Sequence, residues 1–296
     1  MPQADLRVGL HHLTRYRFER PVALSPHEIR LRPAPHCATP ILSYRLDVAP
    51  ASHSVHWLHD PHGNHVARVI FAEPASVLEI SVTLTADLAP INPFDFLVDP
   101  VAEQFPFDYG PLLGGELAAF LRVEPAGPLM LDQLSRLRAQ LANGPVPTTD
   151  FLVSLNGAVA RRVAYEIRME AGVQAPEETL GLARGSCRDS AWLLVQLLRH
   201  LGLGARFVSG YLIQLRRPEQ ATVGPEGDGG ALHAWAEVYL PGAGWLGLDA
   251  TSGMLAGEGH VPLAATAAPA AAAAVIGTAE PVDVRLHHAI EISRSG

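Results

Sequence analysis

Over residues 1–90 apolar and polar positions alternate in short runs. The segments 7–18, 42–48, 66–71 and 77–85 are rich in Val, Ile, Leu, Tyr and Thr, and a period of two gives each a single face to bury, as strands do. Arg32-Pro33-Ala34-Pro35 and Asp60-Pro61-His62-Gly63-Asn64 punctuate them as turns, so a meander or sandwich of strands is expected. Residues 90–111 carry prolines and phenylalanines without periodicity, which suits a connector laid over a surface. From Leu129 the period changes: Leu131, Leu134, Leu137 and Leu141, then Leu152, Leu155, Val159 and Val163, recur at helical spacing. Asn143-Gly144-Pro145 separates these two helices.

A third helix is expected over 187–201, with Ala191, Leu194, Val195, Leu198 and Leu201 as its apolar stripe and Gly202 as its stop. Strands follow over 206–215, 233–240 and 245–249. Between the first two, residues 216–232 hold Gly224-Pro225-Glu226-Gly227-Asp228-Gly229-Gly230 and read as a surface loop, a candidate gate because it leads into His233. The alanine-rich run 264–274 reads as a linker, or as a poorly packed helix. After it Val282, Val284 and Leu286 alternate with Asp283, Arg285 and His287, a strand expected over 282–292 that returns to the N-terminal sheet. The domains so drawn are 1–90, a connector 91–128, a core 129–262, and a linker with its strand over 263–296.

Composition narrows the function. Of 296 residues 48% are apolar and 18% charged, enough for a substantial core. The 22 basic residues are all arginine; without lysine, Schiff-base chemistry and the Walker A phosphate loop are excluded. A net charge of −8 argues against a nucleic-acid partner. No run of about 18 apolar residues calls for a membrane span, and the first residues lack the basic and apolar regions of a secretory signal. Two cysteines, Cys37 and Cys187, make no disulfide framework and suit a reducing cytoplasm.

The chemistry concentrates at Arg184-Gly185-Ser186-Cys187-Arg188-Asp189. Ser186 followed by Asp189 is a capping-box pattern, with Cys187 the first helical residue. The positive end of a helix favours thiolate over thiol, and thiolate is the nucleophile; the alternative is a small apolar side chain in a core. His233 opens the next strand and supplies an imidazole, and Asp249 ends the strand after that. Pairing Tyr239 with Trp245 would set Trp235 opposite Asp249 and make His233 its diagonal neighbour, about 7–8 Å away between Cα atoms. A loop one residue shorter would put the two on opposite faces. Cys187, His233 and Asp249 thus form a candidate nucleophile, base and orienting carboxylate only in one register.

These three motifs in this order, Gly-Ser-Cys-Arg-Asp, His-Ala-Trp-Ala-Glu-Val and Gly-Trp-Leu-Gly-Leu-Asp-Ala-Thr, resemble the transglutaminase-like superfamily of papain-related thiol enzymes. His11-His12-Leu13-Thr14-Arg15-Tyr16 and Leu31-Arg32-Pro33 resemble the β-rich N-terminal domain of its bacterial members. The resemblance implies an α+β fold, a papain- or transglutaminase-like core preceded by a β-sandwich-like N-terminal domain. It also implies a Cys-His-Asp triad at Cys187, His233 and Asp249 that acts on a peptide or protein substrate. Hydrolysis by a cysteine peptidase or amidase is the favoured reading, since nothing marks a second-protein acceptor site. Protein-glutamine transamidation and a noncatalytic binding or assembly protein are the alternatives. No cofactor or metal is called for: His56, His59, His62 and His65 recur at every third position, a spacing that alternates faces in a strand and suits a hairpin better than a metal site. Cys37, set among prolines, reads as a packed or idle thiol, and Asp189 as a cap before it is an active-site wall.

Overall fold

The structure, a computed structural model, describes residues 6–216 and 227–295. In the N-terminal half the strands are β1 (Arg7–Val22), β2 (His27–Ile29), β3 (Ile41–Ala49), β4 (His53–His59), β5 (His65–Phe71) and β6 (Ala75–Asp87). The connecting stretch holds β7 (Gln104–Phe105) and the short helix α1 (Gly110–Glu116). Then come α2 (Pro128–Leu141), β8 (Val146–Pro147), α3 (Thr148–Arg162), β9 (Ala164–Tyr165), α4 (Pro176–Leu182), β10 (Arg184–Gly185) and α5 (Cys187–His200). The chain continues through β11 (Ala205–Gln214), β12 (Gly229–Leu240), β13 (Gly244–Asp249), β14 (Met254–Leu255) and β15 (His260–Thr266), and ends with β16 (Val275–Ile276) and β17 (Val284–Ser295).

Two four-stranded sheets, in the orders β17-β1-β6-β3 and β16-β2-β5-β4, share one core in the N-terminal half. Val8, Leu10, Ile80 and Val82 come from one sheet and Ile29, Ala67 and Val69 from the other, so the alternation in the sequence is spent on a common interior. The expected hairpin around Asp60 forms, with His59 paired to His65. A five-stranded sheet, β14-β13-β12-β11-β15, carries the second half. Its Ala205, Phe207, Ala234, Ala236 and Val238 pack with α5, while Tyr211, Ile213, Val261 and Leu263 join the N-terminal core. His12 of β1 also hydrogen-bonds the Tyr211 hydroxyl at 2.9 Å, tying the two halves through a buried polar contact.

Four details depart from the sequence reading. Helix α5 is buried along its whole middle, Asp189 to Arg199, rather than along one stripe, because the sheet lies on one side and helices α2, α3 and α4 on others. Strand β12 begins at Gly229, four residues before the expected start, since Gly229 to Leu232 extend the ladder with Tyr211 to Gln214; residues 217–226 of the proposed gate lie outside the described residues. Strand β15 runs across the boundary drawn at 262/263, because Val261, Leu263, Ala264 and Ala265 are all buried and Val261, Ala264 and Ala265 pair with β11. The expected final strand runs over Val284–Ser295 and adds to the edge of β1, Phe18 opposite Val284. There it also touches β12: a Cβ on Gly230 would lie 2.7 Å from Ile290 Cγ2, and Arg294 holds Asp228 at 2.6 Å.

Gly210 sets the spacing at the centre of this sheet. It stands opposite His233 on one side and Pro262 on the other, and a Cβ there would run into the Val261 carbonyl and come within 2.5 Å of the Trp235 ring. Gly210→Ala is therefore expected to destabilise the fold by about 1–3 kcal/mol, read as a lower urea midpoint. Gly114→Ala, where a Cβ meets nothing within 4 Å, leaves the midpoint in place.

Candidate active site

The thiol is placed by its own helix cap. Strand β10 pairs in parallel with β9, Gly185 beside Tyr165, and delivers the chain to Ser186, the N-cap of α5. Asp189 closes the capping box: its Oδ2 accepts the Ser186 N–H and the Ser186 hydroxyl, both at 2.8 Å. Its Oδ1 accepts the Gln174 N–H at 2.7 Å, and Arg168 Nε approaches Oδ2 at 3.0 Å. Burial works to raise the pKa of this carboxyl, but Arg168 and the Gln174 and Ser186 donors outweigh it and hold it below the usual carboxylate range. Asp189 is thus the cap that the sequence suggests. Cys187 follows, half-buried, in the first turn of a helix whose unpaired N–H groups favour negative charge.

The imidazole and the second carboxylate depend on the register. Tyr239 does pair with Trp245, and the ladder extends one step further to Leu240 and Gly244. His233 then reaches Asp249, with Nε2 3.2 Å from Oδ1, although the ring N–H does not point straight down that line. Nδ1 is the ring nitrogen turned away from Asp249, and Cys187 lies near enough to the imidazole to act on its charge. The three sequence-identified residues are therefore together. Burial works to lower the His233 pKa; hydrogen bonds and charge from Asp249 and Cys187 outweigh it and raise it to about 9. For Asp249 burial works upward, and His233 and His260 overcome it, holding the carboxyl well below its ordinary range.

His260 is the residue that sequence reasoning missed. Its Nε2 lies 3.4 Å from Asp249 Oδ2, and its ring meets Trp235 edge-on at 5.2 Å. Ser252 Oγ donates to the same Oδ2 and the Thr251 N–H to Oδ1, each at 2.9 Å. Among the described residues, His233, Asp249 and His260 are the one group whose ligand atoms converge, within 4.8 Å, yet the donor set does not fit a metal. His260 Nδ1 accepts the Gly257 N–H at 3.1 Å, which puts the ring proton on Nε2, where a metal would need the lone pair. His260 is a hydrogen-bond donor to Asp249. Cys37 is remote in kind: its thiol donates to the Thr39 carbonyl at 3.4 Å, and burial pushes its pKa up to about 11.

Comparison with known proteins agrees with this architecture. Residues 8–87 match the family of the bacterial transglutaminase-like N-terminal region, and residues 135–250 match the transglutaminase-like superfamily. An uncharacterized protein of Mycobacterium tuberculosis is 26% identical over 260 residues, spanning 86% of this chain and 82% of its own. Another, from Mycobacterium leprae, is 27% identical over 265 residues, 83% of each chain. Among solved structures, a "putative cysteine protease" from Cytophaga hutchinsonii superposes with a TM-score of 0.68 at 19% identity, over 98% of this chain and 91% of its own. At that identity the likeness speaks for the fold: mixed α/β, with a β-rich N-terminal region and a transglutaminase-like core.

The raised His233 pKa has a signed consequence. With an unfolded value of roughly 6.5, the stabilisation from its charge is complete below that pH and is lost as pH rises through about 9. An NMR titration of the His233 ring is expected to show a midpoint near that higher value, and Asp249→Asn moves the midpoint down.

Proposed function

We propose that this chain, which belongs to the transglutaminase-like superfamily, is a cysteine peptidase or amidase working through Cys187, His233 and Asp249. The observation that carries the reading is a thiol in the first turn of a buried helix, near an imidazole whose Nε2 lies 3.2 Å from a buried carboxylate. Cys187 Sγ attacks a peptide or carboxamide carbonyl, and the negative charge on its oxygen is met by the Cys187 N–H at the helix start. His233 gives its proton to the departing amine, leaving an acyl-enzyme. It then takes a proton from water, whose oxygen attacks the thioester and releases the acid and the Cys187 thiolate beside a protonated His233. Asp249 orients the ring and stabilises the imidazolium in both halves.

Amine transfer shares every step except the last, in which a primary amine replaces water. The chain has no lysine, so it offers no lysine amine of its own and transfer would draw the acceptor from another molecule. Hydrolysis is the simpler outcome, with a peptide or protein as substrate. No helix among the described residues is long and apolar enough to cross a membrane. Both thiols are unpaired, which suits a reducing compartment, and we assign the protein to the cytoplasm on that ground.

The test is a library of peptides and amides incubated with and without a primary amine and read by mass. Products that gain water are expected, and products that gain the amine would instead make the chain a transamidase. Cys187→Ala is expected to abolish either product, and His233→Ala or Asp249→Asn to lower kcat by about 10³–10⁴-fold. Iodoacetamide near pH 7 should modify Cys187 ahead of Cys37. Equal, slow labelling of the two would return the chain to a noncatalytic binding role.

A further inference from the structure

Strand β9 continues beyond Tyr165 as residues 166–170 beside the start of α5, and even and odd positions face different neighbours. The N–H groups of Ala164 and Glu166 donate to the carbonyls of Ala183 and Gly185, each at 2.9 Å. The carbonyls of Arg168 and Glu170 accept from Arg188 Nη2, each at 3.0 Å. In an extended chain the N–H and C=O of one residue point to the same side and those of its neighbours to the other. The even residues therefore occupy the inner edge. The backbone groups of Tyr165, Ile167 and Met169 face the outer edge, where no backbone partner is found among the described residues.

Their side chains are outward too. Tyr165 is 57% exposed, and Ile167 and Met169 are each 81% exposed. The intervening Arg168 turns inward, 15% exposed, to pair with Asp189. The strap is thus fixed to the cap of the nucleophile's helix from two directions, by Arg168 on Asp189 and by Arg188, the neighbour of Cys187, on two strap carbonyls. Its near end pairs with the strand that leads into Cys187. Tyr165 stands beside Gly185, two residues before Cys187, and its phenol pKa is raised by burial and by the neighbouring Cys187.

An open strand edge bearing large apolar side chains invites another strand. What covers it is indicated by where it leads. Resting on the reading of Cys187 as nucleophile, we propose that residues 165–169 are the docking strand for an extended polypeptide substrate, which adds along the open edge with bulky apolar side chains against Ile167 and Met169. At about 3.3 Å per residue the strap spans about 13 Å, room for three or four substrate residues. The docked part is the acyl side, which stays bound to Sγ after the amine departs and has to be held until water arrives. Backbone pairing supplies affinity here and alternate side chains supply selection, as in other strand-addition sites.

The test compares alkylation of Cys187 by acetyl-Leu-Leu-Ala chloromethyl ketone and acetyl-Gly-Gly-Ala chloromethyl ketone, in which a thioether forms and chloride leaves. Each rate is normalised to that of iodoacetamide on the same variant, so differences in thiol reactivity cancel. The natural chain is expected to prefer the leucyl reagent by about tenfold or more. Ile167→Ser with Met169→Ser is expected to erase that preference, Met169→Ser alone to halve it or more, and Ile167→Pro, which removes an edge N–H, to slow both peptidyl reagents. Normalised rates that stay the same in all three variants overturn the docking strand while leaving the nucleophile in place. Failure of iodoacetamide to label Cys187 in the natural chain would overturn the nucleophile, and the docking strand with it.

Discussion

A carboxylate taken out of water stays charged only if donors meet it from several sides, and Asp249, 2% exposed, is where this chain meets that demand. Thr251, Ser252, His233 and His260 converge on its two oxygens. Two of these donors lie in the turn that follows β13, one in β12 and one at the start of β15. To bring them together the sheet must hold β12 against β13 in a single register and fold the turn back. It must also return β15 to the far side of β11. The close approach at Gly210 and the burial of Trp235 belong to the same demand, since they let His233 and His260 reach one acid from two strands.

Asp189 imposes the same rule on the helix. Fully buried, it gathers Ser186, Gln174 and Arg168, so the first turn of α5 cannot shift without stranding a charge. One carboxylate thus fixes the thiol and the other fixes the imidazole. Cys187 and His233 sit where helix meets sheet, one at a helix start and the other within a strand. That agrees with the general need for such groups to be held by rigid elements whose rotamers are locked from behind.

Much of this was legible in the sequence because it is local. A serine three residues before an aspartate announces the cap, and the spacing from Tyr239 to Trp245 restricts the strand register to a choice that the structure resolves. His260 was not legible. Its neighbours Gly257, Glu258 and Gly259 read as a turn, and its role exists only because Leu212 pairs with it across a long connection. Arg168 and its strap escaped for the same reason: alternating Tyr165, Ile167 and Met169 look like an ordinary buried strand until Ala183 and Gly185 are found on one edge. The burial of α5 on all sides was hidden too, since its polar Gln196 and Arg199 suggest a solvated face. In the structure Arg199 instead donates to the carbonyls of Arg122, Ala205 and Ala267.

The contact between β17 and the first residues of β12 orders events in time. A ribosome makes His233 nearly sixty residues before Ile290 and Ile292, the side chains that close over Gly230. While domains fold in the order of their synthesis, the strand that carries His233 waits, with one flank bare, for a segment still to be translated. The nascent chain therefore carries Cys187 and His233 before it carries the segment that packs over the start of the His233 strand.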